Sequence, residues 1–231
     1  MNLFFDIGCN VGDFTKKCFE THPECKVIAV DANHNLLREG ESENLVLVNA
    51  LVGSSEGLVD FYIEPTQSGI STASKTFVET SRFAKGSPNL PPKSGNWSLP
   101  IKVKSITLDQ LIAKYGSPDY IKIDVEGYEY EVLKGLSSKQ KTIAFEWHEE
   151  DLETLMLSCE YLQKLGYNKF GVTGYFLDSA NLKGITHDPK GDDYLLFPEQ
   201  FFTWGELKEY ILLATNPDRR VNYGMLTVID D

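Results

Sequence analysis

The sequence predicts an α/β fold in which a mostly parallel, seven-stranded sheet carries helices on both faces. Two observations predict it. Short apolar runs rich in β-branched residues alternate with polar stretches of helical period, as expected for strands that are buried on both faces. The first of these runs breaks at a glycine turn and leads into a helical stretch, which is how a chain crosses over to a parallel neighbour. The 231 residues are enough for one substantial core.

The first half of the chain supplies four predicted strands and one long loop. Its apolar runs are residues 3–7, 26–30, 45–48 and 58–63, with a helix predicted at 13–20. Residues 64–99 are rich in Ser, Thr, Gly and Pro and have little periodicity, so we predict a loop there. A loop of this length inside a compact domain is usually functional, and we assign it to substrate binding.

The second half continues the alternation of strands and helices. Strands are predicted at residues 101–106, 120–124 and 142–146, helices at 107–112, 128–133 and 151–165, and a closing antiparallel pair at 169–177 and 194–197. We therefore expect one domain over residues 1–197. Residues 198–231 are expected to form an extension with one helix at 204–213 and a tail.

Charge and hydropathy exclude several classes of protein. The chain has 22 basic and 34 acidic residues, a net charge of −12, so the phosphate backbone of a nucleic acid would be repelled. No apolar run approaches the roughly 18 residues that span a bilayer, and the N-terminus lacks the features of a signal peptide. The four cysteines show neither a CxxC spacing nor the density of a disulfide scaffold. Reduced thiols in a cytoplasmic protein are therefore expected.

The glycine turn is the first candidate site. Residues 6–12, with the sequence DIGCNVG, lie where a strand becomes a helix, so Gly8 and Gly12 permit close approach of a ligand to the backbone N–H groups. Asn10 stands where a dinucleotide fingerprint has its second glycine, which weakens a prediction of NAD or FAD. The turn therefore indicates a polar cofactor without identifying it.

Polar residues at the ends of the next two strands extend this site. Asp31 follows the glycine turn by about 20 residues, the placement of an acid that binds both hydroxyls of an adenosine ribose. The alternative is that Asp31 caps a helix over residues 33–39. Asn49 either reaches the adenine edge or serves ordinary turn chemistry.

Acidic residues and a histidine cluster at the ends of two later strands. Asp124 and Glu126 follow the run at 120–123, and the following strand delivers Glu146 and His148 beside them. Carboxylates with an imidazole bind a divalent cation or supply a general base. The alternative is that Glu126 and its neighbour Glu129 stabilise the N-terminus of a helix, with His148 on the rim.

These residues resemble the FkbM-type S-adenosylmethionine-dependent methyltransferases. Residues 5–15 are similar to the opening motif of that family, Val30-Asp31-Ala32 to its second-strand acid, and Asn49-Ala50-Leu51 to its third-strand end. The most specific match is Thr107-Leu108-Asp109 followed by residues 121–129 and 132–135. The resemblance covers residues 3–197.

The resemblance implies a Rossmann-like, class I methyltransferase fold with S-adenosylmethionine as cofactor. It implies O-methylation of a sugar, a glycan or another small molecule, with Asp124 near the methionine end of the cofactor. The expected cofactor site comprises Asp6, Gly8, Asn10, Gly12, Asp31, Ala32, Asn49, Ala50 and Asp124. Because the chain begins directly at the first strand, without the leading helical segment usual in such domains, we expect one domain of a longer protein.

The predicted reaction is an in-line displacement in which the enzyme chiefly positions two reactants. A sugar hydroxyl is a weak nucleophile at neutral pH, so Asp124, Glu146 and His148 are candidates for the base and for ligands of Mg²⁺ or Mn²⁺. Two other functions stay open. One is an NAD-linked oxidoreductase or epimerase on the same fold, and the other is a non-catalytic module that binds a partner protein through its acidic surface.

Overall fold

The computed structural model describes residues 2–34, 42–84, 95–175, 186–187, 197–214 and 222–230. Its strands are β1 (Leu3–Ile7), β2 (Lys26–Asp31), β3 (Leu45–Asn49), β4 (Leu51–Val52), β5 (Gly57–Phe61), β6 (Ile101–Ile106), β7 (Tyr120–Ile123), β8 (Thr142–His148), β9 (Lys169–Tyr175), β10 (Thr186–His187) and β11 (Tyr223–Ile229). Its α-helices are α1 (Asp13–Thr21), α2 (Lys75–Thr80), α3 (Leu108–Tyr115), α4 (Glu129–Lys134), α5 (Leu152–Lys164) and α6 (Trp204–Ala214). Short 3₁₀ helices lie at Ser68–Ile70 and Glu149–Asp151.

The α/β fold predicted from the sequence is confirmed, with eight strands in the main sheet of the described residues instead of seven. The strand order is β10-β9-β11-β8-β7-β1-β2-β3. The five neighbouring strands β8, β7, β1, β2 and β3 pair in parallel. β11 lies between β8 and β9 and is antiparallel to both. The eighth strand is the two-residue β10, which pairs in parallel with β9. A separate three-stranded sheet contains β4, β6 and β5.

The two faces of the main sheet bury separate apolar clusters. Phe4 packs with Phe14 and Cys18 of α1 on one face. Its neighbour Phe5 joins the larger cluster under α4 and α5 on the other face. Because successive strand residues point to opposite faces, this division within β1 confirms that both faces are covered.

The C-terminal residues belong to the main sheet. β11 makes ladders with both neighbours over its whole length, from Tyr223 opposite His148 to Ile229 opposite Thr142 on the β8 side. Its five central residues are buried, and α6 covers the segment predicted to be helical. The division expected at residue 197 therefore does not follow the sheet. Residues 194–196 of the predicted closing strand lie outside the described residues, and the antiparallel neighbour of β9 is β11.

The segment predicted to be a long loop contains regular structure. We call residues 64–84 the covering segment, and it includes the 3₁₀ turn Ser68–Ile70 and α2. The hydroxyl of Ser74 accepts the N–H of Phe77 and so caps α2, as short hydroxyl side chains do at helix starts. In the described parts of the chain, no helix has both the length and the apolar character needed to cross a membrane.

Candidate active site

The glycine turn is held directly against the end of β7. Gly8 has a φ of 76°, and a Cβ there would lie 1.8 Å from the carbonyl oxygen of Asp124. The Gly8 N–H donates to the carbonyl of Val30 over 2.9 Å, which ties the turn to β2. Gly12, at a φ of 86°, is the residue before α1. Only glycine fits at residue 8, because both the positive φ and the contact exclude a side chain.

Asp6 and Lys122 support this turn from below. Asp6 is fully buried, and its Oδ2 accepts the hydroxyl of Thr15 over 2.6 Å. The Nζ of Lys122 donates to the carbonyl of Gly8 over 2.8 Å and lies 3.4 Å from Asp6 Oδ1 and 3.3 Å from Asp124 Oδ2. Sequence analysis overlooked Lys122, although a lysine inside an apolar strand is a signal, since a buried ammonium needs partners.

Asp31 lies at the end of β2 and joins two backbone segments. Its Oδ2 accepts the N–H of Asn10 over 2.9 Å, and its Oδ1 accepts the N–H of Asn33 over 2.7 Å. Burial raises the pKa of Asp31, and the two N–H donors oppose that rise. The proposed helix at residues 33–39 lies mostly outside the described residues. The carboxylate thus orders the glycine turn and faces the same cleft.

Asn49 engages the backbone. Its Nδ2 donates to the carbonyls of Asp31 and Ala32 over 3.0 and 3.3 Å, so the amide fastens the end of β3 to the end of β2. This is the turn chemistry that the sequence left open as an alternative to adenine contact. Its side chain does not line the cleft described next.

A cleft of about 500 Å³ opens above the carboxyl ends of β1, β2 and β7. Six of the residues predicted for the cofactor line it: Gly8, Asn10, Asp31, Ala32, Ala50 and Asp124. Asp6, Gly12 and Asn49 are not among its lining residues. Leu51, Val52 and Phe61 give it an apolar wall, and Ser68, Gly69 and Ser71 of the covering segment form another. Ligand sites that combine apolar walls with a few polar groups are typical of the crevice in open α/β sheets.

A second, polar cavity of about 470 Å³ adjoins the first at Asp124. The two cavities share Gly8, Asn10, Gly69 and Asp124 among their lining residues. The second cavity adds Lys122, Glu126 and Glu146. Burial raises the pKa of Asp124 to about 7, with a further rise from the nearby Glu146 and an opposing effect of Lys122. A carboxyl group that titrates near neutrality therefore lies at the junction.

Glu146 and His148 lie on the same face of β8, since they are two residues apart. The Nε2 of His148 lies 3.0 Å from Glu146 Oε2 and 3.5 Å from Glu126 Oε2. These three side chains, here called the Glu-Glu-His cluster, present atoms within 4.8 Å of one another, close enough to hold a metal ion together. The sequence predicted Asp124, Glu146 and His148 as this group; the cluster contains Glu126 in place of Asp124, which lies 3.3 Å from Lys122. His148 is buried, so it does not lie on the rim.

Glu129 and Glu126, the two acids at the start of α4, make different contacts. The Oε1 of Glu129 accepts the N–H groups of Val125 and Gly127, each over 3.2 Å, and so supports the helix start as the alternative reading expected. Burial raises the pKa of Glu129 to about 8, with Glu146 as the next cause. Glu126 has a φ of 57°, and its side chain joins the cluster.

The covering segment closes over both cavities. The hydroxyl of Ser68 donates to Asn10 Oδ1 over 2.8 Å, and the hydroxyl of Thr72 donates to the carbonyl of Glu126 over 2.7 Å. The ring of Phe77 lies 5.6 Å from that of His148. Arg82 ends the segment with a two-pronged ion pair to Glu150, with both N–O distances at 2.6 Å. Both of these charged side chains are buried.

The fold and this cleft define the chain as an α/β protein of the Rossmann-like type. Residues 6–169 match the model of the "Methyltransferase FkbM domain". The chain belongs to the FkbM methyltransferase family. The match covers the glycine turn, the covering segment and the Glu-Glu-His cluster, and it ends at the first residue of β9.

Similar solved structures are distant. One is a methyltransferase FkbM from Methylobacillus flagellatus KT, with 14% identity, a TM-score of 0.47, and coverage of 74% of this chain and 39% of that chain. The chain therefore spans well under half the length of that protein. Another is a precorrin-6y C5,15-methyltransferase from Geobacter metallireducens GS-15, with 13% identity, a TM-score of 0.42, and coverage of 99% and 80%. No curated protein sequence matches the chain.

Proposed function

We propose that the protein is an S-adenosylmethionine-dependent O-methyltransferase that acts on a hydroxyl of a sugar, a glycan or another small molecule. One observation carries the proposal: the glycine turn, Asp31 and Asp124 line a single cleft at the carboxyl ends of neighbouring parallel strands. The net charge of −12 favours such an acceptor over a nucleic acid.

The cleft fits the chemical parts of this cofactor. The Asp31 carboxylate suits the two ribose hydroxyls, and Ala50, Val52 and Phe61 offer an apolar surface for a purine ring. Gly8 lets the glycine turn pack directly on the backbone of Asp124, and both residues line the cleft. Asp124 faces the opposite end, where a charged amino or sulfonium group is favoured by a nearby carboxylate. When bound, S-adenosylmethionine supplies an electrophilic methyl carbon that an acceptor oxygen attacks as the carbon–sulfur bond breaks.

The acceptor would occupy the polar cavity beside Asp124. Its hydroxyl proton must leave as the new oxygen–carbon bond forms, and a base is most effective when its pKa lies near the working pH. Asp124, with a pKa of about 7, meets that condition and lines both cavities. Glu146 lines the polar cavity as well, whereas His148 lies behind Glu146 and orients it over 3.0 Å. We therefore assign the base to Asp124, with Glu146 and His148 as the supporting pair.

The alternative functions have less support. An NAD-linked oxidoreductase or epimerase would need the three-glycine fingerprint and usually a Tyr-x-x-x-Lys pair near the nicotinamide. The chain has that spacing once, at Tyr130 and Lys134. Lys134 lies over the ring of Tyr130, and neither residue lines the cleft. A non-catalytic module has no need of buried acids around two adjoining cavities.

Transfer of a labelled methyl group tests the proposal. The full chain is incubated with labelled S-adenosylmethionine and a panel of sugars, glycans and hydroxylated small molecules. We expect transfer by the wild type, loss of transfer in Asp124→Ala, and wild-type transfer in Asp60→Ala. Asp60 is a suitable control because its carboxylate forms only a half-exposed surface pair with Lys102. Substantial turnover in Asp124→Ala would overturn the assignment of the base.

A further inference from the structure

We infer that Glu126, Glu146 and His148 form a binding site for one divalent transition-metal cation, open towards the polar cavity. The three side chains come from two elements that the sheet holds together. Glu146 and His148 are on β8, and Glu126 follows the neighbouring parallel strand β7. Their ligand atoms lie within 4.8 Å of one another. The Nε2 of His148 is 3.0 Å from Glu146 Oε2 and 3.5 Å from Glu126 Oε2, separations that a single ion with ligand bonds of about 2 Å can bridge.

A buried oxygen atom without a hydrogen bond also points to this ligand. The Oε2 of Glu126 is inaccessible to solvent and has no hydrogen-bond partner among the described residues. The Nε2 of His148 lies 3.5 Å away, an ion-pair distance when the imidazole is protonated but longer than an ordinary hydrogen bond. A buried carboxylate oxygen left in this state is costly. A cation between Glu126, Glu146 and His148 would satisfy it.

The charge balance around the cluster favours a cation. Glu126, Glu146 and Asp124 lie together next to the polar cavity. Lys122 lines the same cavity, but it is already shared among Asp6, Asp124 and the Gly8 carbonyl. Arg82 forms its two-pronged ion pair with Glu150. One imidazolium would offset only one of the two cluster carboxylates, whereas a divalent ion would offset both.

The ligand types limit which cation fits. Two carboxylates with one imidazole suit Mn²⁺ or Zn²⁺ better than Ca²⁺, because imidazole favours transition metals and carboxylates favour harder ions. Three protein ligands leave coordination positions for other oxygen atoms. Glu126 and Glu146 line the polar cavity, so these positions face the proposed acceptor.

The site also indicates a substrate class, and this part rests on the proposed function. A cation at the cluster would lower the pKa of an acceptor hydroxyl that contacts it. Two neighbouring oxygen atoms of the acceptor would occupy two open coordination positions of the cation at once. We therefore expect an acceptor with adjacent hydroxyl groups, or with a hydroxyl beside a carbonyl, as in a sugar ring.

Metal binding is tested on the full chain without reference to activity. The protein is stripped with a chelator and titrated with MnCl₂, and free Mn²⁺ is followed by electron paramagnetic resonance. We expect one bound ion per chain and an affinity at least about 10-fold weaker in Glu126→Gln. Glu131→Gln is the matched control, because Glu131 pairs with Lys134 and Ser54 outside the cluster. Circular dichroism checks folding, and Glu146→Gln replaces Glu126→Gln if the latter does not fold.

The outcomes separate the metal site from the proposed function. Absence of Mn²⁺ and Zn²⁺ binding at millimolar concentration overturns the inference and leaves an imidazolium between two carboxylates. Equal affinity in wild type, Glu126→Gln and Glu146→Gln also overturns it. Binding of Mn²⁺ that depends on Glu126, without transfer to any acceptor, supports the metal site and contradicts the proposed methyl transfer. Methyl transfer that is unchanged in chelator, without Mn²⁺ or Zn²⁺ binding, supports the proposed methyl transfer and contradicts the metal site.

Discussion

Gly8 shows how a backbone position controls the shape of the cleft. With a φ of 76° and the carbonyl of Asp124 1.8 Å from the position of a Cβ, it brings β1 and β7 into direct contact at the floor of the cleft. This contact also aligns the Gly8 carbonyl with Lys122. The cleft therefore depends on the absence of a side chain at one residue.

We predict that Gly8→Ala lowers the free energy of unfolding by about 3 kcal/mol or more, because both the positive φ and the clash must be relieved. Chemical denaturation measures the change. Gly205→Ala is the control, since no atom lies within 4 Å of a Cβ at Gly205, and its stability should stay within about 1 kcal/mol of the wild type. Equal stability of the two variants would contradict this account of the turn.

Glu129 predicts a pH dependence of stability. Its pKa of about 8 in the folded protein exceeds the ordinary value of 4.5. The folded state therefore holds the proton more tightly, and the stability that this provides is complete below pH 4.5 and is lost as the pH rises through 8. Glu129→Gln should remove this contribution. In urea unfolding with chelator present, the wild type should lose more stability between pH 5 and pH 8 than the variant, by an amount on the order of 1 kcal/mol or more. Equal losses would show that Glu129 does not titrate in this range.

Sequence reasoning at this scale found the residues whose role follows from their position in a strand–turn–helix unit. Gly8, Asp31 and Asp124 each follow an apolar run, so their place at the sheet edge was predictable. The role of Lys122 and the pairing of Glu126 with His148 were not predictable from the sequence. They depend on which strands are neighbours and on where a loop residue points. For Asn49 the sequence left two roles open, and in the structure its amide donates to the backbone carbonyls of Asp31 and Ala32.

At the scale of elements, the covering segment depends on the Arg82–Glu150 pair. The pair fastens the end of the segment beyond α2 to the residues that follow β8. Arg82 also lies over the ring of Tyr223, 5.1 Å from its centre, so it contacts β11 as well. The segment that walls the cleft is thereby tied to the sheet.

We predict that Arg82→Ala lowers the free energy of unfolding by about 3–5 kcal/mol, because the buried Glu150 carboxylate loses its cationic partner and keeps only the N–H of residue 82. The variant should also bind S-adenosylhomocysteine more weakly, since Ser68 and Gly69 line the cleft from the same segment. Lys75→Ala is the control: its pair with Glu79 on α2 is exposed, and a change within about 0.5 kcal/mol is expected. Urea denaturation measures the free energy of unfolding, and titration calorimetry measures the affinity for S-adenosylhomocysteine. A loss in Arg82→Ala as small as in the control would contradict the fastening role.

Sequence patterns predicted the elements better than their partners. Apolar runs marked β1, β2, β7 and β8, because strands buried on both faces carry a continuous signal. The partly buried edge strand β3 carries an apolar run as well. The covering segment has no such period, so α2 and its Ser74 cap were read as loop. The residues of β11 do form an apolar run, MLTVI at 225–229, but its insertion between β8 and β9 is a long-range pairing that no local pattern specifies.

For the molecule as a whole, the order of the strands in the sheet differs from their order along the chain at the C-terminus. β11 separates β8 from β9 and pairs with both. Leu226 and Val228 on this strand are fully buried in the larger apolar cluster. The sheet is therefore complete only when residues near the end of this chain have returned to its interior.

We predict that a chain ending at residue 197 does not fold. Without β11, the facing edges of β8 and β9 would lose a ladder of seven residue pairs on each side, and exposed edges of this kind favour aggregation. Circular dichroism and size-exclusion chromatography test this. A monomeric 1–197 chain with cooperative thermal unfolding would contradict it and would restore the domain boundary expected from the sequence.

We propose that one cleft, formed by the glycine turn and the polar residues at neighbouring strand ends, binds a sulfonium nucleoside. Isothermal titration calorimetry of the full chain with S-adenosylhomocysteine, with NAD⁺ as the competitor ligand, tests it most directly. We predict one site per chain with a dissociation constant in the micromolar range, on the order of −8 kcal/mol of binding free energy, and no measurable heat from NAD⁺. Preference for NAD⁺, or no binding of either ligand by a folded chain, would contradict the claim.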